Sequence, residues 1–230
     1  MTGPDALKRQ VAEAAAAEVS DGMVLGLGSG STAELVIEAL ARRAAAGLRI
    51  AGVPTSERSA ALARRLGLPL IDFPPDAPLD LTIDGADEVE LPSLALVKGR
   101  GGALLREKIT AFASRRMLVV VDESKLVPRL GQGALPVEIV AFGQRPILAR
   151  LAALGLRPAL RRGADGAPFV SDGGNLIADC MPGPIGDAGA LERALRDIVG
   201  VVETGLFLGL RPRVLVATKD GLVTHEAPAG

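Results

Sequence analysis

Short apolar runs alternate with amphipathic helical stretches through the first half of this chain, and that alternation limits its folding options more than any other feature. Residues 5 to 19 carry Leu7, Val11, Ala14, Ala15 and Val19 at helical spacing, and Ser20-Asp21-Gly22 stops them. An apolar run from Met23 to Leu27 follows, then the Gly/Ser turn GLGSGST (26–32), then a helix with Leu35, Val36 and Leu40 facing inward. The unit recurs as a strand over 49–53, a helix over 56–66 and a short strand over 69–71. Further strands are predicted at 81–84, 94–98 and 117–122, with a helix over 103–115 between the last two. Strands that take turns with helices pack as a mostly parallel, doubly wound α/β sheet of Rossmann-like type.

After Lys125 the texture changes. PRLGQGALP (128–136) reads as a Pro/Gly linker, and a new order begins: strand 137–142, helix 145–154, strand 157–161, strand 168–179, helix 187–198, then GVVETGLF. That βαββαβ order predicts a second, smaller α+β unit of ferredoxin-like type. The last apolar runs flank Lys219-Asp220-Gly221, a hairpin signal, and the hairpin can pair back onto the first sheet. The expected division is residues 1–130 with 205–230 as a Rossmann-like catalytic domain, and 131–204 as a ferredoxin-like lid and interface domain.

Composition removes several function classes. Of 230 residues 48% are hydrophobic, enough for a sizeable core. Net charge is -1, so no basic field exists to hold nucleic acid or an anionic membrane. With no Trp, no Tyr and five Phe, stacking platforms for single-stranded bases are missing too. Cys180 is the one cysteine, which excludes an intrachain disulfide and a multi-cysteine metal site. The opening residues lack a signal-peptide core and no run of 18 apolar residues occurs, so the expected location is the cytoplasm. Cys180 and the single His225 are read as structural.

Three segments put small or charged residues directly after an apolar strand, at the end where open α/β sheets form their ligand crevice. In GLGSGST, glycines permit close backbone approach, the helix start offers free N–H groups to an anion, and Ser29, Ser31 and Thr32 add hydroxyls. A plain tight turn with an N-cap explains the same letters. In DGADEVE (84–90), Asp84 and Asp87 share one small turn. Asx capping, a divalent metal site and a grip on sugar hydroxyls all suit that pair. In KGRGGALLREKI (98–109), Lys98 ends a strand, a Gly-rich turn follows and Glu107 falls early in the next helix, where it is a solvated helix carboxylate or a base. Of 26 basic residues only five are lysines, Lys8, Lys98, Lys108, Lys125 and Lys219, and Lys98 and Lys125 both sit at strand ends on the crevice side. A compact ammonium donor suits such a place better than the broad Arg fork used elsewhere in the chain.

Taken together, GLGSGSTA, VPTSE, TIDGADEV, KGRGGALLREKI, VVDESK, LPVEIV, SDGGNLIADC and GVVETGLF, in this order from about residue 7 to 210, resemble the A-type ribose-5-phosphate isomerases. The resemblance implies that Glu107 is the catalytic base and that Asp84, Asp87 and Lys98 contact the sugar around it. It further implies a substrate site that includes Lys125, the loop Ser29, Gly30, Ser31 and Thr32, and the turns Gly85-Ala86 and Gly99-Arg100-Gly101. Two letters depart from the family pattern. Ser29 stands for a common Thr and keeps the hydroxyl, and Arg100 stands for a frequent Gly, which puts a positive φ there in doubt while leaving its side chain free to point to solvent.

The implied reaction exchanges ribose 5-phosphate and ribulose 5-phosphate through an enediolate, with Glu107 as base, Lys98 as electrophile and no metal or other cofactor. Two rivals are a non-catalytic sugar-phosphate sensor and a Mg-dependent phosphotransferase using Asp84, Asp87 and Glu88. The aliphatic excess and GVVETGLFLGL predict an interface, and the resemblance points to a homodimer or a dimer of dimers. The expected partner is a small sugar phosphate.

Overall fold

The computed structural model describes residues 4–226, so the outermost residues of the expected catalytic domain, 1–3 and 227–230, lie outside it. In chain order the elements are α1 (Pro4–Ala17), β1 (Val24–Leu27), α2 (Ser31–Ala45), β2 (Ala51–Pro54), α3 (Glu57–Arg65), β3 (Leu81–Asp84), β4 (Glu88–Glu90) and β5 (Leu96–Val97). Then come α4 (Leu104–Phe112), β6 (Met117–Asp122), β7 (Leu126–Val127), β8 (Leu135–Ile139), α5 (Gln144–Ala153), β9 (Ala159–Leu160) and β10 (Leu176–Cys180). The remaining elements are α6 (Ala188–Arg196), β11 (Val201–Thr204), β12 (Leu206–Phe207), β13 (Arg213–Thr218) and β14 (Gly221–His225).

The main sheet has the order β14-β13-β6-β3-β1-β2 and is parallel except for the β13–β14 hairpin. Both faces are covered, and the side chains of β6 show why. Leu118 and Val120 join Val11 and Ala15 of α1 and Val36 and Leu40 of α2 in one core. The alternate residues Met117, Val119 and Val121 join Ala111 of α4 in another. Strand β13 divides the same way, Leu215 and Ala217 to the first core, Val214 and Val216 to the second. From β1 the chain crosses to β2 on one side, then returns to β3 on the other. The carboxyl ends of β1 and β3 therefore sit at the point where strand order reverses and loops diverge.

The second sheet has the order β11-β8-β10-β9 and is antiparallel throughout, the arrangement expected of a βαββαβ unit. Val137, Ile139 and Leu176 pack against Ile147 and Leu151 of α5 and Leu195 of α6. Cys180 lies in this core, where burial pushes its thiol up to about 12.

Four expectations need correction. The run 94–98 is not a strand of the main sheet: β5 belongs to a small third sheet, β12-β5-β4-β7, because the few residues after β3 cannot make the crossover that a parallel neighbour requires. The strand expected at 69–71 shrinks to one bridge between Leu70 and Gly52. The strand expected over 168–179 is interrupted by a turn at 172–174 and runs regularly only in β10. The supposed linker 128–136 is an anchored strap, since Gly131 and Gly133 donate backbone N–H bonds to Glu88 at 2.7 Å each and β8 has begun by Leu135.

Candidate active site

Asp84, the last residue of β3, has no exposed surface, so its charge depends entirely on local partners. Its Oδ1 accepts from the backbone N–H groups of Ser29 at 3.0 Å and Gly85 at 2.7 Å, while Oδ2 lies 3.0 Å from Lys98 Nζ. A Cβ on Gly28 would stand 2.3 Å from Asp84 Oδ1, so only glycine lets the loop after β1 close over this carboxylate. Lys98 Nζ also donates to the Gly85 carbonyl at 2.6 Å and lies 3.5 Å from Glu107 Oε2. Glu107 is 4% exposed and is therefore not the solvated helix carboxylate its neighbours in sequence allowed.

Two carboxylates thus share one ammonium in a buried site. Burial opposes the charge on Lys98, but Asp84 and Glu107 outweigh it and hold the lysine above its ordinary range. Burial pushes Asp84 up, against the pull of Lys98 and of two backbone N–H groups. Burial pushes Glu107 up to about 8; Lys98 opposes this, and the nearby charges of Asp84 and Asp87 add to it. Among the described residues no backbone N–H donates to the Glu107 carboxyl as two do to Asp84.

The turn between Lys98 and α4 takes its left-handed positions at Gly99 (φ 95°) and Gly102 (φ 87°), so Arg100 carries no positive φ. Nor does its side chain point to solvent. It donates to Glu88 at 2.5 Å and to the Ala134 carbonyl at 3.1 Å, and its backbone N–H donates to Asp87 at 2.9 Å. Glu88 faces this strap, away from Asp84, and the three carboxylates do not converge as the phosphotransferase reading requires. Among the described residues no cluster of three His, Cys, Asp or Glu side chains is placed to hold a metal ion.

Ser29 also differs from expectation. Its hydroxyl turns under the loop, donating to Ser56 at 2.7 Å and meeting Thr55 at 2.7 Å, and it contributes to loop shape instead of offering a free donor. Thr55 and Ser56 belong to VPTSE, and Ser56 caps α3 through the Ser59 N–H at 3.1 Å. Gly30 caps α2 with φ 95° and no side-chain bond, which leaves the first N–H groups of that helix open.

Above the buried cluster lies a cavity of about 480 Å³. Ser29, Gly30, Ser31, Thr32, Gly85, Ala86, Asp87, Lys98, Gly99, Gly101, Glu107 and Lys125 all line it. Asp84 lies beneath its floor, and Arg100 is turned away. The sequence reading missed Lys8, which reaches over from α1 to donate to Ser31 Oγ at 3.1 Å and lines the same cavity. Its rarity as a lysine is the available signal, but it falls inside a helical stretch and not at a strand end.

A mostly parallel α/β sheet whose crevice buries a carboxylate beside an ammonium has the makings of an acid–base enzyme of the doubly wound class. Residues 51–221 match the sequence model of ribose 5-phosphate isomerase A (phosphoriboisomerase A), and the chain belongs to that family. A ribose-5-phosphate isomerase A of Roseiflexus sp. (strain RS-1) is 52% identical over 225 residues, 96% of each chain. The solved ribose 5-phosphate isomerase A of Methanocaldococcus jannaschii is 39% identical with a TM-score of 0.93, over 98% of this chain and 100% of that one. A D-ribose-5-phosphate isomerase solved in complex with phospho-erythronic acid is 35% identical with a TM-score of 0.94, again over 98% and 100%.

Proposed function

We propose that this chain interconverts ribose 5-phosphate and ribulose 5-phosphate, with Glu107 carrying the proton between C1 and C2. The observation that supports this most directly is the shared cluster of Asp84, Lys98 and Glu107, with Lys98 Nζ 3.0 Å and 3.5 Å from the two carboxylates. Aldose–ketose exchange needs one base that takes a proton from one carbon and returns it to the next, and a donor for the enediolate oxygen. Glu107 is the base and Lys98 the donor; Asp87, which lines the cavity, holds and relays hydroxyl protons during ring opening, while Asp84 holds the Lys98 ammonium from beneath. The phosphate is held at the open start of α2 by Gly30, Ser31 and Thr32, with charge from Lys8 and Lys125, while Gly85, Ala86, Gly99 and Gly101 shape the cavity around the sugar. Arg100 acts from below by bracing the turn.

In this reading residues 1–130 with 205–230 are the catalytic unit and 131–204 the lid and interface unit, and the protein works in the cytoplasm as a dimer. Among the described residues no helix is long and apolar enough to cross a membrane. The pairing face is supported by a groove of about 470 Å³ beside α5, flanked by Phe142 and Val199, each 93% exposed. Arg150 and Asp197 on the same groove give a two-fold pair opposite charges to exchange. Light scattering is expected to give twice 23.6 kDa, reduced to the single mass by Phe142→Asp.

The purified protein is expected to convert ribose 5-phosphate in excess EDTA, with solvent deuterium entering C1 or C2 of the recovered sugar, and to leave unphosphorylated ribose nearly untouched. Binding without turnover would establish the sensor instead. Activity lost to EDTA and restored by Mg²⁺ would overturn the metal-free mechanism.

A further inference from the structure

Phe207 is 1% exposed and lies on β12, which pairs antiparallel with β5 so that Phe207 stands opposite Leu96. Side chains two residues apart on a strand share a face, so Lys98 leaves β5 on the side of Phe207 as its diagonal neighbour. The chain before Phe207 is held close as well. Gly205 accepts the Lys98 N–H at 2.9 Å, and a Cβ on Gly205 would stand 2.5 Å from the Lys98 carbonyl oxygen. The result is an aromatic ring with Lys98 Nζ 5.6 Å from its centroid and, from α4, Lys108 Nζ at 5.0 Å.

The two ammonium groups are supplied differently. Lys108 has carboxylates of its own, Glu203 at 2.7 Å and Glu192 at 3.6 Å. Among the described residues Lys98 forms its ion pairs with Asp84 and Glu107, the groups that the proposed chemistry uses, and Asp87 acts on it from farther off. A third carboxylate in direct contact with Lys98 would hold it in place, but, as Asp87 already does from farther off, it would add to the negative potential at Glu107 and hinder release of its proton. An aromatic face attracts a cation through its quadrupole and adds no titratable group.

We propose that Phe207 is a positioning residue for the reaction, its ring holding the Lys98 ammonium against Asp84 and Glu107 without competing for the proton. This rests on the reading of Lys98 as the enediolate donor, and the test keeps the two separable. Phenylalanines bearing one, two and three ring fluorines, installed at position 207 alone, weaken the ring quadrupole stepwise with little change in shape. The expected result is a stepwise fall in kcat to about one-tenth with three fluorines, KM within about twofold and an unchanged unfolding midpoint. The same series in Lys98→Ala, assayed at high enzyme concentration, is expected to be flat, and in Lys108→Met to fall as in the parent. A flat series in the parent, an equal fall in Lys98→Ala, or a fall that disappears in Lys108→Met would each overturn the role of Phe207. Full activity in Lys98→Ala itself would instead overturn the reading of Lys98 on which the proposal stands.

Discussion

The crevice at the ends of β1 and β3 and the inner side of β8 both bury carboxylates, and they treat them in opposite ways. Glu138 on β8 is 1% exposed, and its Oε1 accepts from Ser171 Oγ at 2.7 Å and Asn175 Nδ2 at 3.0 Å. Those neutral donors sit on the turn whose Asp172 accepts the Glu57 N–H of α3 at 2.8 Å, while Arg106 of α4 donates to the Asp172 carbonyl at 3.1 Å. Glu107 instead competes with Asp84 for one lysine. Through one oxygen Glu138 holds a turn in shape with neutral donors, whereas Glu107, which shares a cation with Asp84, is held up at about 8.

The sharpest way to break this contrast is to remove each acid in turn. Glu107→Gln is expected to lower kcat by roughly 10² to 10⁴ with little change in KM, measured by steady-state kinetics on ribose 5-phosphate. Near parental turnover would put Glu107 in the same category as Glu138. Next in size, Lys98→Ala is expected to lower kcat by about 10² to 10³, because an oxyanion donor acts in the transition state. Lys125→Ala is expected mainly to raise KM, by about tenfold, and to make binding of non-reactive sugar phosphates less sensitive to added salt. Reversed effects on kcat and KM would exchange the two roles.

The pH dependence sharpens the comparison further. With Glu107 held up at about 8, kcat/KM is expected to fall about tenfold per pH unit below that value, a limb that Glu107→Gln lacks. The same shift has a sign in stability. Between the ordinary carboxylate range and about 8 the unfolded chain releases a proton that the native site keeps, so native stability declines as pH rises through this window. Thermal unfolding of Glu107→Gln should lack that part of the decline, and an unchanged slope would show that Glu107 is ionised throughout. The smallest catalytic effect belongs to Glu138→Ala. It strands the donors of buried Ser171 and half-buried Asn175 at a cost of about 1–3 kcal/mol in denaturant unfolding and is expected to change kcat by less than about threefold.

Much of this was legible in the sequence because strand ends are legible. Asp84, Lys98 and Lys125 each follow an apolar run, and the order of the motifs identified the family. What stayed hidden depends on long-range packing. Nothing local tells whether Ser29 Oγ faces a ligand or the buried hydroxyls of Thr55 and Ser56. The anchor of Arg100, the Ala134 carbonyl, is supplied by a segment whose letters read as a linker. Lys8 sits inside a helical stretch and not at a strand end, and only the packing of α1 beside the main sheet carries it to the cavity. The run 94–98 has the apolar letters of a main-sheet strand, and only the short connection from β3 argues against it.

The position of β13 in the main sheet has a consequence for how the protein comes into being. Strand β6, which leads into the Lys125 loop, is flanked by β3 and by a strand beginning at Arg213, while the whole antiparallel sheet is encoded between them. During synthesis β6 must wait, with one hydrogen-bonding edge open, until residues 213–218 leave the ribosome. The later-encoded antiparallel sheet can assemble during that delay and shorten the loop that β13 has to close. The mostly parallel sheet that carries Asp84 begins first and is completed last.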